Sequence, residues 1–145
     1  MTVAHAVQWT ASMPKSTIRH YMSPSPHTIG AEQPLPVADE LLRKHQIRHL
    51  PVLRGGKLVG ILSARDVLLI YSLPSVQPAS IRVEEAMSEG VYTVSPDTSL
   101  AEVAAQMAAH KYGAALVTEH GRVVGVFTTT DALLALTDVL STRAS

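Results

Sequence analysis

The stretch Gly60-Ile61-Leu62-Ser63-Ala64-Arg65-Asp66 returns in related form as Gly125-Val126-Phe127-Thr128-Thr129-Thr130-Asp131. Both stretches place a hydroxyl three residues after the glycine and an aspartate three residues after the hydroxyl. Further out, a shift of 65 residues (131 minus 66) aligns the flanking sequence without a gap, matching Met22-Ser23 with Met87-Ser88, Leu35 with Leu100, His45 with His110 and Gly56 with Gly121. Two copies are too few for an open solenoid, so the duplication predicts a closed, pseudo-symmetric pair.

Each copy predicts the same order of elements: a short helix, a short strand, an amphipathic helix, a two-stranded hairpin and a closing helix. Gly55-Gly56 and His120-Gly121 lie between the hairpin strands, where glycine at the second position suits a type I′ turn. The opening helices and first strands are predicted over 18–22, 27–30, 83–87 and 91–94. One buried helix face is predicted in the second copy from Leu100, Val103, Ala104 and Met107. The predicted fold class is α+β, with two repeats packed together.

The same comparison predicts the domain organisation. Pro74 and Pro78 mark a linker between the two copies. The predicted boundaries are an N-terminal extension over 1–16, a first repeat over 17–73, the linker over 74–81, a second repeat over 82–141 and a tail over 142–145.

Composition excludes several classes of protein. The 145 residues include no cysteine, which excludes disulfides and thiolate chemistry. The 12 basic and 12 acidic residues balance, and aromatic residues make up only 4%, so nucleic-acid binding is disfavoured. Without an apolar run of about 18 residues or a secretory leader at the N-terminus, we expect a cytoplasmic protein that does not enter a membrane.

With the two motifs and their hairpins in place, the chain resembles the cystathionine β-synthase (CBS) domain over about residues 17–141. A tandem pair of this kind is similar to a Bateman module. The resemblance implies a regulatory module that binds an adenine nucleotide (AMP, ADP or ATP) in clefts between the repeats, without a covalent cofactor. It also implies a flat homodimer that acts on a regulated protein partner.

The resemblance assigns roles to residues of this chain. Asp66 and Asp131 are expected to accept hydrogen bonds from the ribose diol, with Ser63 and Thr128 as hydroxyl partners and Thr130 as a further hydroxyl. The adenine is expected to lie against the first strand and the start of the second strand of each repeat. Those positions are Thr28, Ile29 and His49-Leu50-Pro51 in the first repeat, and Thr93, Val94 and Ala114-Ala115-Leu116 in the second.

Physical chemistry supports this assignment and also offers an alternative. Gly60 and Gly125 allow a planar base or another backbone to approach closely. A carboxylate in the first turn of a helix can accept two hydrogen bonds from a diol, while the helix N-terminus favours phosphate. The same Ser/Thr-x-x-Asp spacing can instead be a local helix cap. The preceding glycine and the duplication favour the ligand interpretation, and one does not exclude the other.

Arg48-His49 is the best candidate for contacting phosphate; Arg19-His20, Lys44 and Arg65 are others. Gly113-Ala114 stands at the matching place in the second copy, so two unequal clefts are expected. If the pseudo-twofold axis places Arg48 beside the second motif, sugar and phosphate contacts would meet there. Gly113-Ala114-Ala115 would leave room for a base, or would simply allow tight packing.

No metal site and no enzyme active site are expected. The seven histidines show no metal-ligand spacing, and no nucleophile-base or phosphate-loop motif is present. The alternative to a nucleotide sensor is a ligand-free scaffold for dimerisation or interaction. Its support is the apolar residues of the closing helices, such as Leu68, Leu69, Leu133, Leu134, Leu136 and Leu140.

Overall fold

A computed structural model describes residues 17–144. Each repeat contains a short opening helix, three or four strands and two longer helices. The opening helix of the first repeat is a 3-10 helix, Ile18–His20, and another 3-10 turn, Pro78–Ser80, lies between the repeats. The α-helices are α1 (Leu35–His45), α2 (Ala64–Tyr71), α3 (Val83–Ala86), α4 (Leu100–His110) and α5 (Thr129–Ala144). The strands are β1 (Ser23–Pro24), β2 (Ile29–Gly30), β3 (His49–Arg54), β4 (Lys57–Ser63), β5 (Thr93–Val94), β6 (Ala114–Glu119) and β7 (Arg122–Thr128).

The α+β class and the paired repeats are confirmed, with two sheets of related topology. In the first repeat β2 runs parallel to β3, and β3 and β4 form an antiparallel hairpin. In the second, β5 runs parallel to β6, and β6 and β7 form the hairpin. The predicted opening helices and first strands are present but shorter than expected.

The start of each repeat packs on the sheet of the other repeat. Strand β1 pairs antiparallel with β7, with Ser23 opposite Val126 and Pro24 opposite Gly125. The symmetric contact is a bridge between Ser88 and Ile61. The hydrophobic cores follow the same exchange, since Ile18 lies in the second repeat's core and Val83 in the first repeat's core. Each core therefore includes residues from the opening helix of the other repeat.

The two motif glycines allow this exchange. A Cβ on Gly60 would lie 2.5 Å from Met87 Sδ and 2.8 Å from the Ser88 carbonyl oxygen. A Cβ on Gly125 would collide with Met22 Sδ in the same way. The sequence predicts that either a planar base or another backbone approaches these glycines. In the structure, the backbone and a methionine side chain of the other repeat lie there.

Both hairpin turns have the predicted backbone geometry. The φ angles are 59° and 80° at Gly55 and Gly56, and 54° and 77° at His120 and Gly121. Two consecutive left-handed residues define a type I′ turn. In α4, Val103 and Met107 are buried, but Ala104 is exposed, so its predicted place on the buried face is wrong. The buried face of α4 is narrower because its small alanines face outward.

No helix within residues 17–144 has the length and apolarity needed to cross a bilayer.

Candidate functional site

A cavity of about 420 Å³ opens where the two repeats meet. We call it the Asp131 cavity. Its walls come from both repeats: the β1 segment and the loop into β3 from the first, and the end of β7 with the start of α5 from the second. The lining residues are Ser23, Pro24, Ser25, Pro26, His27, Gln46, Ile47, Arg48, His49, Val126, Thr128, Thr129, Thr130 and Asp131. Its volume lies in the range of small-molecule sites.

Hydrogen bonds from both repeats hold Asp131 in the cavity wall. Its Oδ2 accepts from the Thr128 backbone N–H at 2.9 Å and from the Thr128 hydroxyl at 3.2 Å. Its Oδ1 accepts from the Ser23 hydroxyl at 3.3 Å. The Ser23 contact joins the two repeats, because Ser23 belongs to the first. Both carboxylate oxygens thus accept hydrogen bonds. One accepts within the cap of α5, and the other accepts from Ser23 of the first repeat.

The matching junction in the first repeat is a complete capping box. Ser63 Oγ accepts from the Asp66 backbone N–H at 3.0 Å, and Asp66 Oδ2 accepts from the Ser63 N–H at 2.9 Å. Among residues 17–144 the other carboxylate oxygen of Asp66 has no hydrogen-bond donor. The capping interpretation therefore describes the geometry at both motifs, and each carboxylate still has acceptor capacity for a ligand diol.

Two basic side chains of the first repeat lie opposite the second repeat's motif. Arg48 is exposed and His49 is partly buried, and both line the Asp131 cavity. Burial lowers the pKa of His49, with Asp66 opposing this effect and Arg48 adding to it. The His49 Nδ1 atom is buried and has no hydrogen-bond partner among the described residues. At neutral pH the wall thus carries one guanidinium charge and an imidazole favoured in its neutral form.

A pair of stacked imidazoles borders the cavity. The rings of His27 and His45 lie 3.6 Å apart at an interplanar angle of 15°. Burial lowers the pKa of His45, and nearby His27 and Lys44 lower it further. Within residues 17–144 no group of three or more His, Asp or Glu side chains could hold a metal.

Of the residues predicted to border adenine, some are buried in the hydrophobic cores and others lie at the starts of strands or next to a cavity residue. Ile29, Val94 and Ala115 are buried in the hydrophobic cores, so any ligand contact would have to come from their backbone. Thr28 follows the lining residue His27, while Thr93 and Ala114 lie at the start of β5 and β6. None of these six residues lines the Asp131 cavity.

The space predicted at Gly113 is occupied by a side chain. A Cβ on Gly113 would lie 3.2 Å from His49 Nε2 and 3.7 Å from its Cε1. The small residue therefore accommodates an imidazole from the other repeat instead of leaving room for a base there.

Sequence reasoning missed the wall formed by residues 23–27 and by Gln46 and Ile47. The repeated Met-Ser pair, aligned at Met22-Ser23 and Met87-Ser88, was the available signal. This pair marks the segment that packs on the other repeat's sheet. In the first repeat that segment is the β1 wall of the cavity.

A sequence model of the CBS domain matches this chain twice, over residues 18–72 and 83–138. The chain is 32% identical to inosine-5'-monophosphate dehydrogenase of Korarchaeum cryptofilum over 117 residues, covering 80% of this chain and 23% of that enzyme. It is 29% identical over 132 residues to L-aspartate semialdehyde sulfurtransferase of Methanocaldococcus jannaschii, covering 90% of this chain and 25% of that protein. The chain spans about a quarter of these two relatives.

Solved structures share the fold. The putative acetoin utilization protein AcuB of Vibrio cholerae superposes with a TM-score of 0.77 at 29% identity, covering 88% of this chain and 95% of that one. The CBS domain pair of protein MJ0100, in complex with 5'-methylthioadenosine and S-adenosyl-L-methionine, gives a TM-score of 0.77 at 28% identity, covering 86% and 98%. With both repeats matched and the paired fold reproduced, the chain belongs to the CBS domain family.

Proposed function

We propose that this chain is a regulatory module that binds an adenine nucleotide in the Asp131 cavity and relays its occupancy to a partner protein. The observation that carries the proposal is the meeting of Arg48 and His49 from one repeat with Thr128, Thr130 and Asp131 from the other in one cavity. A carboxylate suits a ribose diol, and a guanidinium suits a phosphate. The related MJ0100 pair, with its two adenosine-containing ligands, supports the class of ligand.

Phosphate chemistry favours AMP, ADP or ATP over an uncharged adenosine derivative. The guanidinium of Arg48 supplies a fixed positive charge at the cavity wall. The first turn of α5 adds the positive end of the helix dipole. Asp131 lies in that turn, so a ligand whose sugar meets the carboxylate has its phosphate within reach of both.

The Ser23–Asp131 hydrogen bond supplies a route from binding to shape. A ribose hydroxyl that takes the place of Ser23 on Asp131 Oδ1 removes a contact between the repeats. A ligand shifts a conformational equilibrium only through contacts that differ between the two shapes. Exchange of Ser23 for ribose is such a difference, since Ser23 belongs to the β1 strand that packs on the second repeat.

Titration calorimetry and thermal unfolding with AMP, ADP, ATP, 5'-methylthioadenosine and S-adenosylmethionine test the proposal. A ligand present at 100 times its Kd should stabilise the fold by about 2.7 kcal/mol. Asp131→Ala should weaken AMP binding by about 10- to 100-fold, since hydrogen bonds to a charged group contribute about 1.5–3 kcal/mol. Ser99→Ala removes a helix cap outside the cavity and is the matched control. If both variants lose stability and neither loses affinity, Asp131 is only a cap.

We also propose a homodimer. Leucines on the closing helices are widely exposed, including Leu68 at 68% on α2 and Leu134 at 64% on α5. Exposed apolar surface on the closing helix of each repeat favours a self-complementary contact between identical chains. Light scattering should give twice the monomer mass, and Leu68→Lys with Leu134→Lys should give the monomer. A monomeric wild type at working concentration would overturn the dimer.

The same exposed leucines favour a second candidate function, a scaffold without a physiological ligand. This function needs the apolar surface and not the cavity. Unchanged melting curves with all five compounds, together with a stable dimer, would favour the scaffold over the nucleotide sensor.

A further inference from the structure

The repeat alignment relates the Asp131 cavity to a second face of the molecule. The residues of that face differ from those of the cavity. We call it the Asp66 face, and it consists of Ser63, Asp66, Gly113 and Ala114. In the repeat alignment these residues correspond to Thr128, Asp131, Arg48 and His49 of the Asp131 cavity. The acidic and hydroxyl groups are thus kept on both sides, while the two basic residues are replaced by small ones.

His49 fills the space that this replacement creates. The side chain of Arg48 forms part of the wall of the Asp131 cavity. At the equivalent position on the Asp66 face, a side chain starting from Gly113 would meet His49 Nε2 at 3.2 Å. Gly113 is the repeat equivalent of Arg48. The His49 imidazole therefore takes the space on the Asp66 face that a side chain at position 113 would need.

Other contacts place His49 at the boundary between the two sides. Its backbone stands opposite Ser63 in the β3–β4 register, and Asp66 acts electrostatically on its ring. His49 also lines the Asp131 cavity. Since the buried Nδ1 has no hydrogen-bond partner within the described chain, packing rather than hydrogen bonding fixes the ring there.

We infer that His49 closes the Asp66 face to nucleotides, so that each chain holds one nucleotide, in the Asp131 cavity. This inference rests on the proposed function. Positive charge is present on the Asp66 face, because Arg65 and Lys111 stand where the cavity has Thr130 and Gln46. The obstacle is thus the space taken by the imidazole, and removing it should create a second site.

A gain of binding tests this directly, with AMP as the probe and the full chain as the protein. Asp131→Ala should bind AMP at least tenfold more weakly than the wild type. Adding His49→Ala to that variant should restore binding at one AMP per chain, now on the Asp66 face. A further Asp66→Ala should abolish the restored binding. His20→Ala, which removes an exposed histidine from the same Asp131→Ala background, is the control and should restore nothing.

Restored affinity cannot arise from general destabilisation. Should the double variant fail to fold, as judged by its thermal transition, His49→Ala alone gives a second measurement. Since His49 also lines the Asp131 cavity, AMP binding there should weaken, while a second AMP site that Asp66→Ala removes should appear. Two AMP per wild-type chain, or a folded double variant no better than Asp131→Ala, would overturn the role of His49 and leave the proposed function standing. A wild type that binds no AMP would overturn both.

Discussion

Met87 of the second repeat lies against Gly60 of the first, where Sδ stands 2.5 Å from the position of an added Cβ. The Ser88 carbonyl oxygen, which accepts the Ile61 N–H at 3.0 Å, stands 2.8 Å from the same point. A methionine side chain can turn aside, but a hydrogen-bonded carbonyl cannot move without breaking its bridge. Gly60 is therefore required by the contact between repeats.

Gly60→Ala should lower the free energy of unfolding by about 1–3 kcal/mol, the usual cost of overpacking a close contact. Gly90→Ala is the matched control, because nothing lies within 4 Å of its Cβ position. Chemical denaturation of both variants checks the prediction. Equal unfolding midpoints for the two variants would contradict the close approach at Gly60.

The repeat, its elements and the chemistry of the two junctions were predictable because their signals are local. Glycine in a strand, Ser63 three residues before Asp66 and two glycines in a turn each report a nearby backbone requirement. Tertiary packing decides which residue lies against a glycine. The sequence predicts a close approach at Gly60 and Gly113, but only the folded chain identifies Met87 and His49 as the neighbours.

The cavity was partly predictable for the same reason. Arg48 and Asp131 were singled out from separate motifs, but their meeting depends on how the repeats pack. Sequence analysis does not predict the β1 wall, because a strand of two residues has no periodicity. Its partner strand β7 also lies about a hundred residues further along the chain.

Tyr21 links the start of the first repeat to the last helix of the second. Its hydroxyl donates to Asp138 Oδ2 at 2.9 Å. Tyr21→Phe should therefore lower the free energy of unfolding by about 1–2 kcal/mol, since the acceptor is charged but partly exposed. Thermal or urea unfolding measures the loss.

Tyr71→Phe is the control for that experiment, because the Tyr71 hydroxyl donates no hydrogen bond to any of residues 17–144. A loss as large in Tyr71→Phe would show that the removed hydroxyl, and not its bond to Asp138, sets the effect.

Ser23→Ala should tighten AMP binding. The Ser23 hydroxyl occupies Asp131 Oδ1 in the free protein, and a ribose hydroxyl would have to displace it. This competing hydrogen bond is long and exposed, so removing it should raise affinity about two- to tenfold, from a contribution of about 0.5–1.5 kcal/mol. Calorimetry with AMP measures the change.

The repeat supplies the control for Ser23. Ser88→Ala changes the equivalent serine, whose hydroxyl makes no hydrogen bond to Asp66 in the described structure. Its AMP affinity should stay within a factor of two of the wild type, by the small effects usual at surface positions. Weaker AMP binding by Ser23→Ala would mean that the Ser23 hydroxyl assists the ligand rather than competing with it.

The stability of the protein should fall as the pH drops below about 6.5, partly because of His49. Burial lowers the pKa of His49 in the folded state, while the unfolded chain keeps the ordinary value. Between those two pKa values the unfolded state binds more protons, so the free energy of unfolding rises with pH there and is level above it. His49→Gln should flatten this dependence, whereas His20→Gln, which changes an exposed histidine, should leave it steep. Urea unfolding from pH 5 to 8 measures the slope, and identical slopes in the wild type and His49→Gln would mean that the His49 ring is as readily protonated in the folded chain as in the unfolded one.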